Sequence, residues 1–339
     1  MALRFKLSVL FLFALVIFLP GCSSSSDNEK ESLDDVTLRL QWIPQAQFAG
    51  YIVADELEYY KEEGLNVTLL PAGPDLKPHI TVANGSEDIG IGVPNQILTA
   101  RSNEVPLTIV AQVFQDSPNR YILKAANQIN SLQQLAGKKV GLWLGGDEAE
   151  FIAMLRSQGM ALEDVDLVSQ GFSVIPFLEE EYILSQVTTY NELNQIKAQG
   201  YSEDDLQIIS PEDYKAAIPG DVIFVRQDFI ETKLETLVSF LSASMKGWQY
   251  AIDNPDSTID LILRVNPELD RADQESQLRE VIKLVTYGNA QKSGLGVMTQ
   301  EDYERTLKIL RESNQIEGDV DITSVFDPSP LQKSKSSGQ

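Results

Sequence analysis

From Val36 onward, apolar and polar positions follow a strand, helix, strand, helix order. Val36 to Gln41 alternates apolar and polar residues and predicts a strand that Pro44 stops. A helix is predicted from Phe48, with Ala49, Ile52, Val53, Leu57 and Tyr60 on one face and Gly64 just past its end. Leu65 to Leu70, Asp88 to Gly92 and Leu107 to Phe114 predict further strands. Between them lie a short helix, Asp75 to Ala83, and one that Pro94 opens and that runs to Ser102.

A second unit begins near Arg120. Ser131 caps a short helix to Leu135, and strands are predicted at Lys139 to Trp143, Val165 to Val168 and Leu184 to Thr188. Asp147-Glu148 opens a helix between the first two of these strands. Asp221 to Val225 returns as a strand. Amphipathic helices then follow at Glu231 to Ala251, Ser257 to Val265, Ala272 to Tyr287 and Thr299 to Glu312. Such alternation predicts α/β architecture with mainly parallel sheets covered by helices on both faces.

The first residues change the picture of where the chain works. Arg4 and Lys6 precede an apolar run of 13 residues, Leu7 to Leu19, too short to span a bilayer. Leu19-Pro20-Gly21-Cys22 resembles a bacterial lipobox, which implies a signal peptide over 1–21 and a lipid on Cys22; an incidental cysteine after an ordinary secretory signal is the alternative. Residues 22–35 then predict a flexible tether. Cys22 is the only cysteine, which excludes a disulfide and a catalytic thiol in the body of the chain. With 50 Asp plus Glu against 27 Lys plus Arg, the net charge is −23, a poor surface for nucleic acid.

Four strand ends share one grammar, in which polar or aromatic residues precede a helix: Trp42 to Phe48, Val93-Pro94-Asn95, Trp143 to Glu148, and Tyr190-Asn191-Glu192. Ligands of open α/β sheets bind at that edge. Flat rings and a few directional amides suit a planar heterocycle. Trp42 either walls such a site or plugs its loop, and Glu192 either accepts a ligand's N–H or is a solvated first-turn acid. Gly145-Gly146 could cradle an anion, but Asp147 and Glu148 follow, with no Lys or Arg between Val140 and Phe151. His79 is the only histidine and is expected to be an exposed bystander. No P-loop, zinc spacing or nucleophile elbow occurs, so binding without chemistry is expected, with no cofactor and no metal.

The stretches Trp42-x-Pro44-Gln45-Ala46-Gln47-Phe48-Ala49-Gly50-Tyr51, Tyr60-x-x-Glu63-Gly64-Leu65-x-Val67 and Pro71-x-Gly73-Pro74-Asp75 resemble substrate-binding lipoproteins of ABC importers in the thiamine-pyrimidine-precursor (NMT/THI-like) family. So do Ala111 to Gln115, Gly137 to Trp143, Thr189 to Glu192, and Gly247-Trp248-x-Tyr250-Ala251-x-x-Asn254-Pro255. The resemblance implies a type II periplasmic-binding-protein fold of two doubly wound lobes with a two-crossing hinge. Lobe 1 would be residues 36–118 plus 220–328, lobe 2 would be 119–219, and 329–339 a polar tail. It implies capture of a pyrimidine-like or flavin-like solute, with a sulfonate as the alternative, and delivery to an ABC permease and its ATPase by a membrane-anchored, extracytoplasmic monomer.

The implied contacts are Trp42 and Trp143 as walls, Tyr190 and Glu192 as stacking and hydrogen-bonding partners, and Gln47, Asn95, Gln115, Gly145 and Asn191 beside them. Gln45 stands where pyrimidine-handling members often carry asparagine, Phe48 where they often carry histidine, and Ile183 where an acid is common; the Gln-Ala-Gln-Phe variant is closer to relatives assigned to flavins or unknown solutes. The eukaryotic pyrimidine-synthase relatives in that family use a histidine and a cysteine cluster, which His79 and Cys22 cannot supply.

Overall fold

The computed structural model describes residues 33–73, 75–171, 173–317 and 320–337. The expected signal peptide, Cys22 and nearly all of the tether lie outside the described residues. Two five-stranded sheets organise the rest. The first contains β1 (Asp34–Arg39), β2 (Leu65–Leu70), β3 (Ile89–Gly92), β4 (Leu107–Gln112) and the late strand β10 (Val222–Arg226), in the order β2-β1-β3-β10-β4. The second contains β5 (Asn119–Lys124), β6 (Lys139–Leu142), β7 (Asp166–Ser169), β8 (Leu184–Thr188) and β9 (Leu206–Ile209), in the order β7-β6-β8-β5-β9.

Each sheet is mixed rather than mainly parallel. β1 pairs in parallel with β2 and β3, whereas β10 runs antiparallel between β3 and β4. In the second sheet β5 runs antiparallel to both β8 and β9. The reversed strands are those entered or left through the two crossings between the halves. Because β10 is reversed, its first residues lie at the edge where β1 and β3 end, with Val222 opposite Gly92.

The crossings run side by side. Val113 N donates to Asp221 O at 2.8 Å and Gly220 N to Asp116 O at 3.1 Å. The Gln112 side chain donates to the carbonyls of Phe114 and Gly220, tying one crossing to the other.

Several local patterns resolve differently from the expected ones. The helix expected from Phe48 to beyond Tyr60 is two, Ala49–Glu56 and Tyr59–Glu62, because Glu58 sits at φ +62 between them. Gly64 takes φ +79 as the stop. Ala49–Glu56 packs against the long helix Leu234–Asp253 at a crossing where only glycine fits. A Cβ on Gly50 would lie 2.2 Å from the Trp248 ring, and one on Gly247 would lie 2.0 Å from Gly50 O. The 329–339 segment is not only a polar tail: Ser329–Ser337 is helical and buries Leu331 and Ser334. Helix Gln300–Glu312, N-capped by Thr299, packs against both Pro94–Ser102 and Ala149–Ser157 and so touches both halves. No helix among the described residues is long and apolar enough to cross a membrane.

Candidate functional site

The edge of the first sheet where β1 and β3 end faces the corresponding edge of the second, where β6 and β8 end. A cavity enclosing about 900 Å³, open mouth included, lies between them. Trp42 follows β1 and Trp143 follows β6. Their rings meet across the cavity edge-to-face, with centroids 6.4 Å apart at 72°. Trp42 packs on the first core, so it is both a wall and part of the packing beneath it. Trp143 is held by hydrogen bonds: its backbone N donates to Gln186 Oε1 at 3.1 Å and its Nε1 to Gly171 O at 3.3 Å. Tyr190, buried, lines the floor and meets Phe114 edge-to-face at 5.7 Å.

The expected site residues divide. Trp42, Gln47, Asn95, Trp143, Tyr190, Asn191 and Glu192 line the cavity. Gln115 and Gly145 are not among its lining residues. The Gln115 amide instead donates to Gln112 O at 2.7 Å and Val297 O at 2.9 Å, which makes it a strut of the crossing. Gly145 is exposed at φ +99, in a turn that brings Gly146 and Asp147 toward the first half.

Glu192 is buried, not solvated. Its Oε2 accepts from Thr188 N at 3.0 Å and Thr188 Oγ1 at 2.7 Å, and its Oε1 accepts from Asn191 Nδ2 at 2.7 Å. It therefore closes its own strand-to-helix turn. Burial pushes its carboxyl above the usual range despite those donors.

The loops touch across the cavity mouth. Lys77 Nζ lies 3.0 Å from Asp147 Oδ2, and Gln96 Nε2 donates to Asp147 Oδ1 at 3.2 Å. Asn95 Nδ2 donates to Gly146 O, and on the far side Gln277 Nε2 donates to Asn191 Oδ1 at 3.2 Å. Burial raises the Asp147 carboxyl pKa, and Lys77 works against that rise. His79 is not an exposed bystander: it is half-buried, and its Nδ1 stands 3.2 Å from Gln96 Oε1. Its pKa is lowered by burial. It does not line the cavity.

Two buried carboxyls that line the cavity, Glu150 and Asp221, are not singled out by sequence. Glu150 Oε1 accepts from Ile218 N at 2.6 Å and Oε2 from Asn119 Nδ2 at 2.8 Å, pinning a crossing to the second half. Asp221 accepts from Gln41 Nε2 at 2.7 Å and from Gln47 Nε2 at 3.0 Å. Burial pushes each of these carboxyls up to about 7. The available signal was an acid standing directly before the apolar strand 222–225, after Pro219-Gly220. Among the described residues no group of three or more His, Cys, Asp or Glu could hold a metal ion.

The NMT1/THI5 like family profile matches residues 45–258. The chain belongs to that family. It is 26% identical over 260 residues to the formylaminopyrimidine-binding protein of Halalkalibacterium halodurans, covering 75% of this chain and 78% of that one. It is 26% identical over 343 residues to the riboflavin-binding protein RibY of Chloroflexus aurantiacus, covering 95% and 97%. It is also 26% identical to the 4-amino-5-hydroxymethyl-2-methylpyrimidine phosphate synthase of Legionella pneumophila, over 69% of this chain and 74% of that one. Among solved structures, the alkanesulfonate-binding protein SsuA of Xanthomonas axonopodis pv. citri superposes with a TM-score of 0.65 at 13% identity, covering 86% and 98%. The fold is the type II periplasmic-binding-protein fold.

Proposed function

We propose that this member of the NMT1/THI5-like family is the extracytoplasmic solute-binding protein of an ABC importer, and that it traps a small heteroaromatic solute between two lobes. The observation that carries the reading is the pair of tryptophans, one from each half, meeting over a cavity lined with amides and carboxylates. Flat apolar walls take the faces of a ring, and directional groups read its edge. The lobes would be 36–118 with 220–328, and 119–219, which agrees with the pairing of β10 between β3 and β4. Lipidation at Cys22 would anchor the protein, as a monomer, at the membrane surface, where its closed form would meet the permease and its ATPase.

Binding is favoured over synthesis because the only histidine stands outside the cavity lining. A sulfonate is disfavoured because Lys77 is the one cation lining the cavity among the described residues, and it is already paired with Asp147. Native mass spectrometry of the protein as purified, with a thermal-shift panel of pyrimidines, flavins and alkanesulfonates, tests the reading. Stoichiometric, unchanged heterocycle is expected. A turned-over product, or stabilisation by sulfonates alone, contradicts it.

A further inference from the structure

The loop after β1 ends in a tight helical turn, Ala46–Phe48, which leads into helix Ala49–Glu56. A helix start leaves its first backbone N–H groups without partners inside the helix. The residue just before the turn often supplies an acceptor, but the Gln45 side chain donates to Gln47 Oε1 at 3.1 Å instead. The acceptors come from helix Arg271–Thr286, far along the chain. Gln274 Oε1 accepts from Ala46 N at 2.8 Å, and Gln277 Oε1 accepts from Gln47 N at 3.0 Å. Three positions apart on one helix face, and both buried, these two glutamines cap the turn from outside. The turn carries Gln47, which lines the cavity and donates to Asp221 Oδ2 at 3.0 Å.

Gln277 reaches further. Its Nε2 donates at 3.2 Å to Asn191 Oδ1, in the second half of the molecule. Asn191 lines the cavity, and its own half fixes its amide from two sides. Its Nδ2 donates to Glu192 Oε1 at 2.7 Å, and its Oδ1 also accepts from Gln195 Nε2 at 2.9 Å. Gln277 therefore holds a backbone N–H of the first half with its oxygen and a cavity side chain of the second with its nitrogen. It is not itself among the lining residues. The bond to Gln47 lies within one half and survives any movement of the other. The bond to Asn191 exists only while the halves are together, so it favours the closed arrangement over the open one.

We infer that Gln277 is a positioning residue for solute capture: its amide ties the Gln47 turn of the first half to Asn191 of the second, and so slows release of a trapped solute that it never touches. The inference rests on the solute-binding reading of the cavity. It adds a closure contact away from the Lys77–Asp147 pair and concerns how long a solute is held, whatever its identity.

Gln274 supplies the internal control. Gln274→Met and Gln277→Met each remove one bond that caps the same turn, and only the second also removes the contact between halves. Stopped-flow tryptophan fluorescence measures association and dissociation, with 4-amino-5-hydroxymethyl-2-methylpyrimidine and riboflavin as probes. Gln277→Met should release solute about fivefold faster, the worth of one buried hydrogen bond, with its association rate unchanged. Gln274→Met should speed release by about twofold or less while lowering the melting temperature about as much. Gln277→Asn, one methylene shorter, cannot span both partners and should also release faster; it carries the comparison if Gln277→Met does not fold. Equal release rates in Gln274→Met and Gln277→Met overturn the inference and leave Gln277 a cap alone, as does wild-type release in Gln277→Asn. A slower association with unchanged release overturns it too. In each of those cases the wild-type protein still binds its solute and the cavity reading stands. If neither probe binds the wild-type protein, both readings fall.

Discussion

The two tryptophans that meet across the cavity are held in different ways. Trp42 rises from the first core, above helix Ala49–Glu56, which lies against Leu234–Asp253 so closely that Gly50 and Gly247 leave no room for a side chain. Trp143 sits on a loop that runs into two positive-φ glycines, fixed by hydrogen bonds to Gly171 and Gln186. One wall is anchored by packing, which resists displacement because interiors are close-packed. The other is anchored by individually modest polar contacts.

The sharpest way to break the comparison is to loosen the packed wall. Gly50→Ala should destabilise the protein by about 3 kcal/mol, because the added Cβ meets Trp248 in a crossing that cannot widen locally. Chemical denaturation checks this, and a variant as stable as wild type would show that the first half is not rigidly set. Trp143→Ala should act in the opposite way. Affinity for the bound heterocycle should fall by about 2 kcal/mol while the melting temperature stays within a few degrees. A large loss of stability in that variant would place Trp143 in a core rather than on a wall.

The pH dependence of stability reports on the floor that the two walls share. Asp221 and Glu150 are pushed up to about 7 by burial, whereas an unfolded carboxylate titrates near 4. Between those values the folded chain binds protons that the unfolded chain has released. Stability should therefore fall as pH rises through that window and level off above it. About 5 kcal/mol should be lost from pH 5 to pH 8 in the ligand-free protein, roughly half from each carboxyl, and Asp221→Asn should remove about half of the slope. Urea midpoints at the two pH values measure it; a rise over the same interval would contradict the assignment.

The smallest effect belongs to the mouth. Lys77→Met breaks the ion pair with Asp147, a partly exposed contact, so affinity should drop by only about 0.5–1 kcal/mol, mainly through faster release. Stopped-flow dissociation separates that from a loss of association rate.

Much of this asymmetry was legible before the structure. The strand Leu184–Thr188 and the helix Pro94–Ser102 have the bounds that hydrophobic pattern and Pro94 predict, because punctuation by proline, glycine and apolar runs is local. β5 and β9 were not legible. β5 opens on Asn119-Arg120, and β9 exposes Ile208; each is defined by its antiparallel partners more than by its own pattern. Trp42 and Trp143 stood out as aromatics at strand ends. Asp221 did not, since its meaning depends on Gln41 and Gln47, 180 and 174 residues away. Lys77 was hidden in the same way: the Gly145 to Glu148 loop has no basic neighbour in sequence and acquires one in space.

A planar heterocycle in the cavity should rest against both tryptophans, the anchored one and the hydrogen-bonded one, where their rings meet. Isothermal titration of the wild-type protein, Trp42→Ala and Trp143→Ala with 4-amino-5-hydroxymethyl-2-methylpyrimidine and with riboflavin tests it most directly. The wild type should bind one solute molecule per chain and both variants should lose about tenfold or more in affinity, with Trp42→Ala alone also melting appreciably earlier. Undiminished affinity in both variants would contradict it.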